Sequence, residues 1–133
     1  MVATEKQLNI NDILNVQDTK TLRVDTPEWG GYVVIQTMTA ESRDRYEISM
    51  LKSNGSGNIE SNEDGSVASN LENARAKLVA ACCLGPDGRL MFKNDEHVKI
   101  LGQKSAVVVD RIYSACLKLN AVSNAEIEEI AGN

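Results

Sequence analysis

A mainly helical α+β fold, a small domain of about five helices with one N-terminal β-hairpin (around residues 20–38), is what this sequence predicts. Three observations carry that expectation. Between Leu101 and Asn120, Val108, Val109, Ile112, Tyr113, Cys116 and Leu119 recur at three- and four-residue spacing, which lays an apolar stripe along a helix. Thr19–Asp25 sets Thr21, Arg23 and Asp25 against Leu22 and Val24, the period of a half-buried strand; the β-branched run Tyr32–Met38 follows after Pro27-Glu28-Trp29-Gly30-Gly31. Aromatic residues make up only 4% of the 133 residues, too few for an aromatic-rich sandwich.

The elements follow in order. Met1–Asn11 is polar, and its first three residues are expected to be mobile. Asn11-Asp12-Ile13-Leu14 seeds a short helical turn, with Leu8, Ile13, Leu14 and Val16 expected to dock it on the core. The hairpin needs further cover, because two strands alone are marginal in water. Thr39 then caps a helix with Glu41 in its first turn and Tyr46 and Met50 inward, ending near Lys52. Residues 53–68 hold almost no apolar side chains and are expected to be a mobile polar loop.

Ser69-Asn70-Leu71-Glu72 reads as a capping box. It would open a helix with Leu71, Ala74, Leu78, Ala81 and Cys82 on one face, stopped by Gly85-Pro86. Asp87-Gly88 makes a turn, and Leu90-Met91-Phe92 is a short extended apolar plug. Asn94 caps a short helix with Val98 and Leu101 inward, ending at Gly102.

The long helix begins after Ser105. Lys118 lies near its negative end, and Asn120 is suited to a left-handed exit. Val107, Ala115 and Leu117 widen its stripe, so partners are expected around most of its circumference; Asp110, Arg111, Ser114 and Lys118 leave a narrow polar strip. Ser123-Asn124-Ala125-Glu126, a second capping box, opens a last short helix with Ile127 and Ile130 inward, where they either complete the core or leave an apolar edge for a partner. The whole chain, 1–133, reads as a single domain without internal repeats.

Composition excludes several function classes. The net charge is −5, from 14 Lys plus Arg against 19 Asp plus Glu, and the basic residues are scattered, so no nucleic-acid footprint is present. Neither a signal-like segment nor an apolar run of membrane-spanning length occurs, which predicts no membrane partner and a cytoplasmic location. Cys82, Cys83 and Cys116 read as reduced thiols within apolar helical segments.

Catalytic and metal readings are weak. Asn62, Asp64 and Gly65 match three positions of a calcium loop, but Leu71 stands where the bidentate carboxylate belongs. Adjacent helical cysteines point about 100° apart and cannot share a metal as a Cys-x-x-Cys pair does. Cys82 with His97, the one histidine, is a conceivable nucleophile–base pair, although His97 falls in the polar first turn of a short helix. No phosphate-cradling glycine loop or spaced carboxylate pair is present. No catalytic, cofactor-binding or metal-binding residue is assigned, and the residues do not argue for an enzyme. Trp29 at the hairpin tip is either a lid folded over the core or an anchor for another chain, since tryptophan is enriched at binding hot spots.

Several stretches together carry a resemblance. They are Asn11-Asp12-Ile13-Leu14; Pro27-Glu28-Trp29-Gly30-Gly31 with the strand after it; Leu71–Leu84 with Arg75 and Leu78-Val79-Ala80; Asp87-Gly88-Arg89-Leu90-Met91-Phe92; Leu101-Gly102-Gln103-Lys104-Ser105-Ala106; Asp110-Arg111; and Leu119-Asn120. In this order, over most of residues 10–130, the chain resembles the phage tail assembly chaperones of long, non-contractile-tailed phages and related prophages.

The resemblance implies a non-enzymatic assembly factor of the bacterial host cytoplasm, absent from the mature virion. It would bind and solubilise the tape measure protein and help recruit tail tube protein as the tube polymerises. Many such proteins are also made in a longer frameshifted form, of which this chain would be the short counterpart. A small acidic protein acting in many copies can cover the apolar ridges of a long helix, and a homo-oligomer adds avidity. The expected binding surfaces are the hairpin with Trp29 and Tyr32, the Asp110–Leu117 face with Arg111 and Tyr113, and the apolar edge of Ile127 and Ile130. Two alternatives stand beside it: another phage tail or head–tail connector protein that stays in the virion, and a small cytoplasmic enzyme or metal protein using Cys82, His97 or the acidic loop.

Overall fold

The computed structural model describes residues 5–51, 61, 63 and 72–121. The polar 53–68 loop with its calcium-loop positions (Ser61 and Glu63 apart), Ser69–Leu71, and the terminal helix with Ile127 and Ile130 therefore lie outside the described residues. Among the described residues the architecture is mainly helical α+β: five helices and a three-stranded antiparallel sheet whose strands lie in chain order.

The hairpin forms as its alternation dictates. β1 (Thr21–Thr26) and β2 (Gly31–Gln36) pair from Thr21↔Gln36 to Thr26↔Gly31. That register places Leu22, Val24 and Thr26 beside Ile35, Val33 and Gly31 on the inner face, and Arg23, Asp25 and Tyr32 on the outer one. Thr26, almost wholly buried, donates its hydroxyl to the Gly31 carbonyl at 3.0 Å.

α2 (Ala40–Ser49) starts at Thr39, whose hydroxyl accepts from the Ser42 N–H at 3.1 Å, and Tyr46 packs against the core. α4 (Asp95–Leu101) starts at Asn94, whose side chain accepts from the His97 N–H at 2.9 Å, and buries Leu101. α5 (Ala106–Ala121) receives its Val109→Ser105 backbone bond at 3.0 Å and buries Val108, Val109, Ile112, Cys116 and Leu119. Each fully buried side chain of this size contributes on the order of 1.5–3 kcal/mol. The stripe packs against the inner face of the sheet and against α3 (Ala74–Cys82), which buries Ala76, Leu78, Val79, Ala80 and Cys82.

Several expectations are corrected. Cys83 is not helical: with Leu84 it forms β3 (Cys83–Leu84), a third strand on β2 with Ile35↔Cys83 and Val34↔Leu84. Tertiary pairing outweighs helical continuation there, because the β2 edge would otherwise stand unpaired. Gly85-Pro86-Asp87-Gly88 then reverses the chain, with Gly88 at φ +78° and its N–H on the Gly85 carbonyl at 2.9 Å. Leu90 bridges back to Leu84 and Phe92 reaches the core, while Met91 is exposed.

α3 does not begin from the Ser69–Glu72 box. Asn73 adopts the left-handed conformation ahead of it (φ 55°, ψ 31°), so the helix starts at Ala74 with no side-chain cap. Ala74 and Ala81, expected on its buried face, are only partly buried. Asn120 does not exit in the left-handed region but stays inside α5 as a brace. Its Oδ1 accepts from the Met38 N–H at 2.7 Å, and its Nδ2 donates to the Cys116 carbonyl at 2.8 Å and to the Cys82 sulfur at 3.4 Å.

Two further corrections concern burial. Val107 and Leu117 face solvent at 69% and 45% exposure, so the long helix is covered along its stripe and not around most of its circumference. α1 (Ile10–Asn15) forms with a capping box between Asn9 and Asp12, but Leu8, Ile13, Leu14 and Val16 are all more than half exposed. This helix does not dock on the core.

Candidate protein-binding site

The hairpin tip is the most specific surface feature. Pro27 supplies a fixed φ at the start of a single 3-10 turn, Pro27–Trp29, and Gly30 closes it in the left-handed conformation with its N–H on the Pro27 carbonyl at 3.0 Å. The reversal thus uses four residues, Pro27–Gly30, where about five were expected. It leaves Trp29 at the apex, 39% exposed and outside the set of side chains packed on the core, against the lid reading. Tyr32, 54% exposed, lies on the outer face of the sheet with the Arg23 guanidinium 3.9 Å above its ring. Arg23 also pairs with Asp25 at 2.8 Å, which holds it in that stack.

The tip is fastened to the long helix by an ion pair. Arg111 donates through Nη1 to Glu28 Oε1 at 2.8 Å and through Nη2 to Oε2 at 2.5 Å, a fork-to-fork geometry. Nη1 also reaches the Asp25 carbonyl at 3.2 Å. The Arg111 hydrogen bonds hold the Glu28 carboxyl down to a pKa of about 2, with help from the backbone N–H of Glu28; Arg111 is raised in turn by the same bond. The neighbouring strip residue is also spent within the chain, since Asp110 pairs with Arg75 at 3.0 Å.

Among the predicted binding residues, the structure thus brings Arg111 to the base of the turn that presents Trp29. Tyr113 is a different case: it packs half-buried against the core, with the Arg75 guanidinium 5.7 Å from its ring. Arg111 and Tyr113 are partly buried and engaged within the chain, whereas Trp29 and Tyr32 are exposed.

The Cys82–His97 pair is not assembled. Cys82 is wholly buried, and hydrogen bonds from Cys116 and Asn120 lower its pKa against the effect of burial. Cys116 is held well above the ordinary thiol value by its hydrogen bond to Cys82 and by burial, and burial pushes Cys83 up to about 11. His97 is exposed and accepts from the Lys93 N–H at 3.2 Å. Among the described residues no group of three or more His, Cys, Asp and Glu is placed to hold a metal, and no helix is long and apolar enough to cross a membrane.

Sequence reasoning missed the Glu28–Arg111 clamp and the Asn120 brace. Their partners lie 83 and 82 residues apart, where periodicity carries no signal. The adjacency of Glu28 to Trp29 was the one local hint.

No protein-family model and no curated protein matches this sequence. Among solved structures, the chain is similar to the tail assembly chaperone of bacteriophage HK97. The two share 17% sequence identity with a TM-score of 0.53, over 86% of this chain and 96% of that one. At this identity the likeness is one of fold.

Proposed function

We propose that this chain is a phage tail assembly chaperone, a non-enzymatic protein of the bacterial host cytoplasm that does not remain in the virion. The observation that carries the reading is the fold shared with the HK97 tail assembly chaperone across nearly all of that protein. In this reading the chain binds the tape measure protein, keeps it soluble, and helps bring tail tube protein to it.

The surface chemistry suits such a client. A long amphipathic helix offers apolar ridges, and Trp29 and Tyr32 offer two aromatic side chains that bury large areas at low entropic cost. Arg111 positions the turn rather than touching the client, since both its Nη atoms are engaged by Glu28 and Asp25. The net charge of −5 keeps the loaded complex soluble.

The test compares Trp29→Ala and Tyr32→Ala proteins with the wild type for co-purification with the tape measure protein. Each variant is expected to fold normally and to retain less than about a tenth of the client, the loss typical of a binding hot spot. Full retention by both would remove the hairpin from the binding surface. Mass spectrometry of purified virions addresses the role itself: the chain should be missing, and its presence at stoichiometric level would identify a structural component.

A further inference from the structure

Positive charge gathers along one groove of a chain whose net charge is −5. The groove is open, holds about 1030 Å³, and runs between α2, α3, the turn after β3 and the start of α4. That volume is at the upper end of the ~300–1,000 Å³ usual for concave binding sites. Leu84, Leu90 and Phe92 give it apolar surface, and Arg45, Lys77, Arg89 and Lys93 outnumber the carboxylates of Glu72 and Asp95. Arg45 also pairs with Glu41 at 3.7 Å, and the Lys77 ammonium donates to the Ser49 carbonyl at 2.9 Å. Arg89 and Lys93 are exposed, and neither makes an ion pair among the described residues. Apolar surface beneath such charge fits an acidic segment with apolar side chains at helical spacing.

The chain carries a segment of that kind and leads it to the groove. In the last turn of α5, Asn120 is bonded to the Met38 N–H at 2.7 Å and to the Cys82 sulfur at 3.4 Å. Thr39 and Ala81, each adjacent in sequence to one of those partners, line the groove. The end of α5 at Ala121 therefore stands beside it. Residues 122–133, which lie outside the described residues, follow from that point. They set Ile127 and Ile130 at three-residue spacing among Glu126, Glu128 and Glu129, and hold no basic residue.

We infer that the Glu126–Ile130 segment occupies the α2–α3–α4 groove of its own chain. Ile127 and Ile130 meet Leu84, Leu90 and Phe92, and the carboxylates meet Arg89 and Lys93. The tether favours the same chain over any other source. Only residues 122–125 separate the segment from Ala121, and so short a link holds it at a local concentration of roughly millimolar. An untethered competitor of equal affinity must exceed that concentration to enter. The groove is thus closed to other proteins until its own segment is displaced. It shares no residue with the Pro27–Gly30 turn, and the inference stands independently of the chaperone role.

The test is carbodiimide coupling of the full chain, which joins a carboxylate to a lysine amine in contact with it, with loss of one water. Peptide mass spectrometry of the wild type should find Lys93 linked to Glu126, Glu128 or Glu129. In an equal mixture of chains made with ordinary and with heavy nitrogen, each linked pair should carry one isotope throughout, because both peptides come from one chain. Ile127→Ser/Ile130→Ser removes the apolar contacts and keeps every carboxylate and Lys93. Arg45→Glu/Arg89→Glu reverses the charge at two exposed positions of the rim. Each should cut the yield of the Lys93 link roughly fivefold or more. Where one variant loses helical circular dichroism, the other decides. A wild type without the link, pairs of mixed isotope (a second copy as occupant), Lys93 linked to Glu60, Glu63 or Asp64 in its place, or a yield unchanged in the folded variants would each overturn the proposal.

Discussion

Replacing Asn120 with alanine should destabilise the protein by about 2 kcal/mol, although the side chain lies near the end of a helix and carries no charge. The figure comes from its three bonds. Met38 N–H, partly buried at the corner between β2 and α2, loses its acceptor at 2.7 Å. Leaving a buried donor unsatisfied costs ~1–3 kcal/mol, and half-burial places this one near the middle of that range or below it. The two Nδ2 bonds add a few tenths of a kcal/mol, because sulfur is a weak acceptor and the Cys116 carbonyl belongs to a helical ladder that already uses it. For a domain of this size the loss corresponds to a fall in Tm of roughly 5–8 °C. Urea unfolding followed by circular dichroism should show a lower midpoint at unchanged slope. The control is Lys118→Ala, two residues earlier on the exposed side of the same helix. An Asn120→Ala protein indistinguishable from that control, within about 0.5 kcal/mol, would refute the brace.

Other expectations follow from the same contacts. Ile112, fully buried in the centre of α5, should cost about 2–5 kcal/mol as Ile112→Ala, while Val107→Ala on the exposed side should stay within about 0.5 kcal/mol by the same unfolding measurement. Glu28 has its pKa lowered from 4.5 to about 2, so its pairing with Arg111 stabilises the fold above pH 4.5 and is lost as pH falls toward 2. The stability difference between wild type and Glu28→Gln should therefore be greatest at neutral pH and disappear near pH 2; a difference independent of pH would contradict the clamp. Cys82, Cys83 and Cys116 are buried and should react with a disulfide reagent only on unfolding. Rapid modification of the native protein would show that the core around them opens.

Much of the fold was legible in local pattern. The α5 stripe, the hairpin alternation and the caps at Thr39 and Asn94 are each set by neighbours within about one turn or one strand pair, so residue order alone carries them. β3 was not legible: two residues have no period, and Cys83 continues an apolar helical run until β2 pairs it. The undocked α1 shows a different limit. Apolar spacing identifies Ile13 and Leu14 as able to be buried, but it does not say whether their own chain supplies the surface. Asn120 was misread because a helix-exit asparagine and a bracing asparagine look alike until Met38 is placed beside it. At the candidate site, Trp29 and Tyr32 were visible as residues at a turn. What holds the turn, Arg111 on Glu28, depends on a contact that only the tertiary fold creates.

The proposed chaperone role is tested most directly by co-expressing this chain with the tape measure protein that it is proposed to bind, scored by solubility and co-purification. The tape measure protein should become soluble in its presence and carry many copies of this chain. A tape measure protein that stays insoluble and unbound beside a well-folded chain would contradict it.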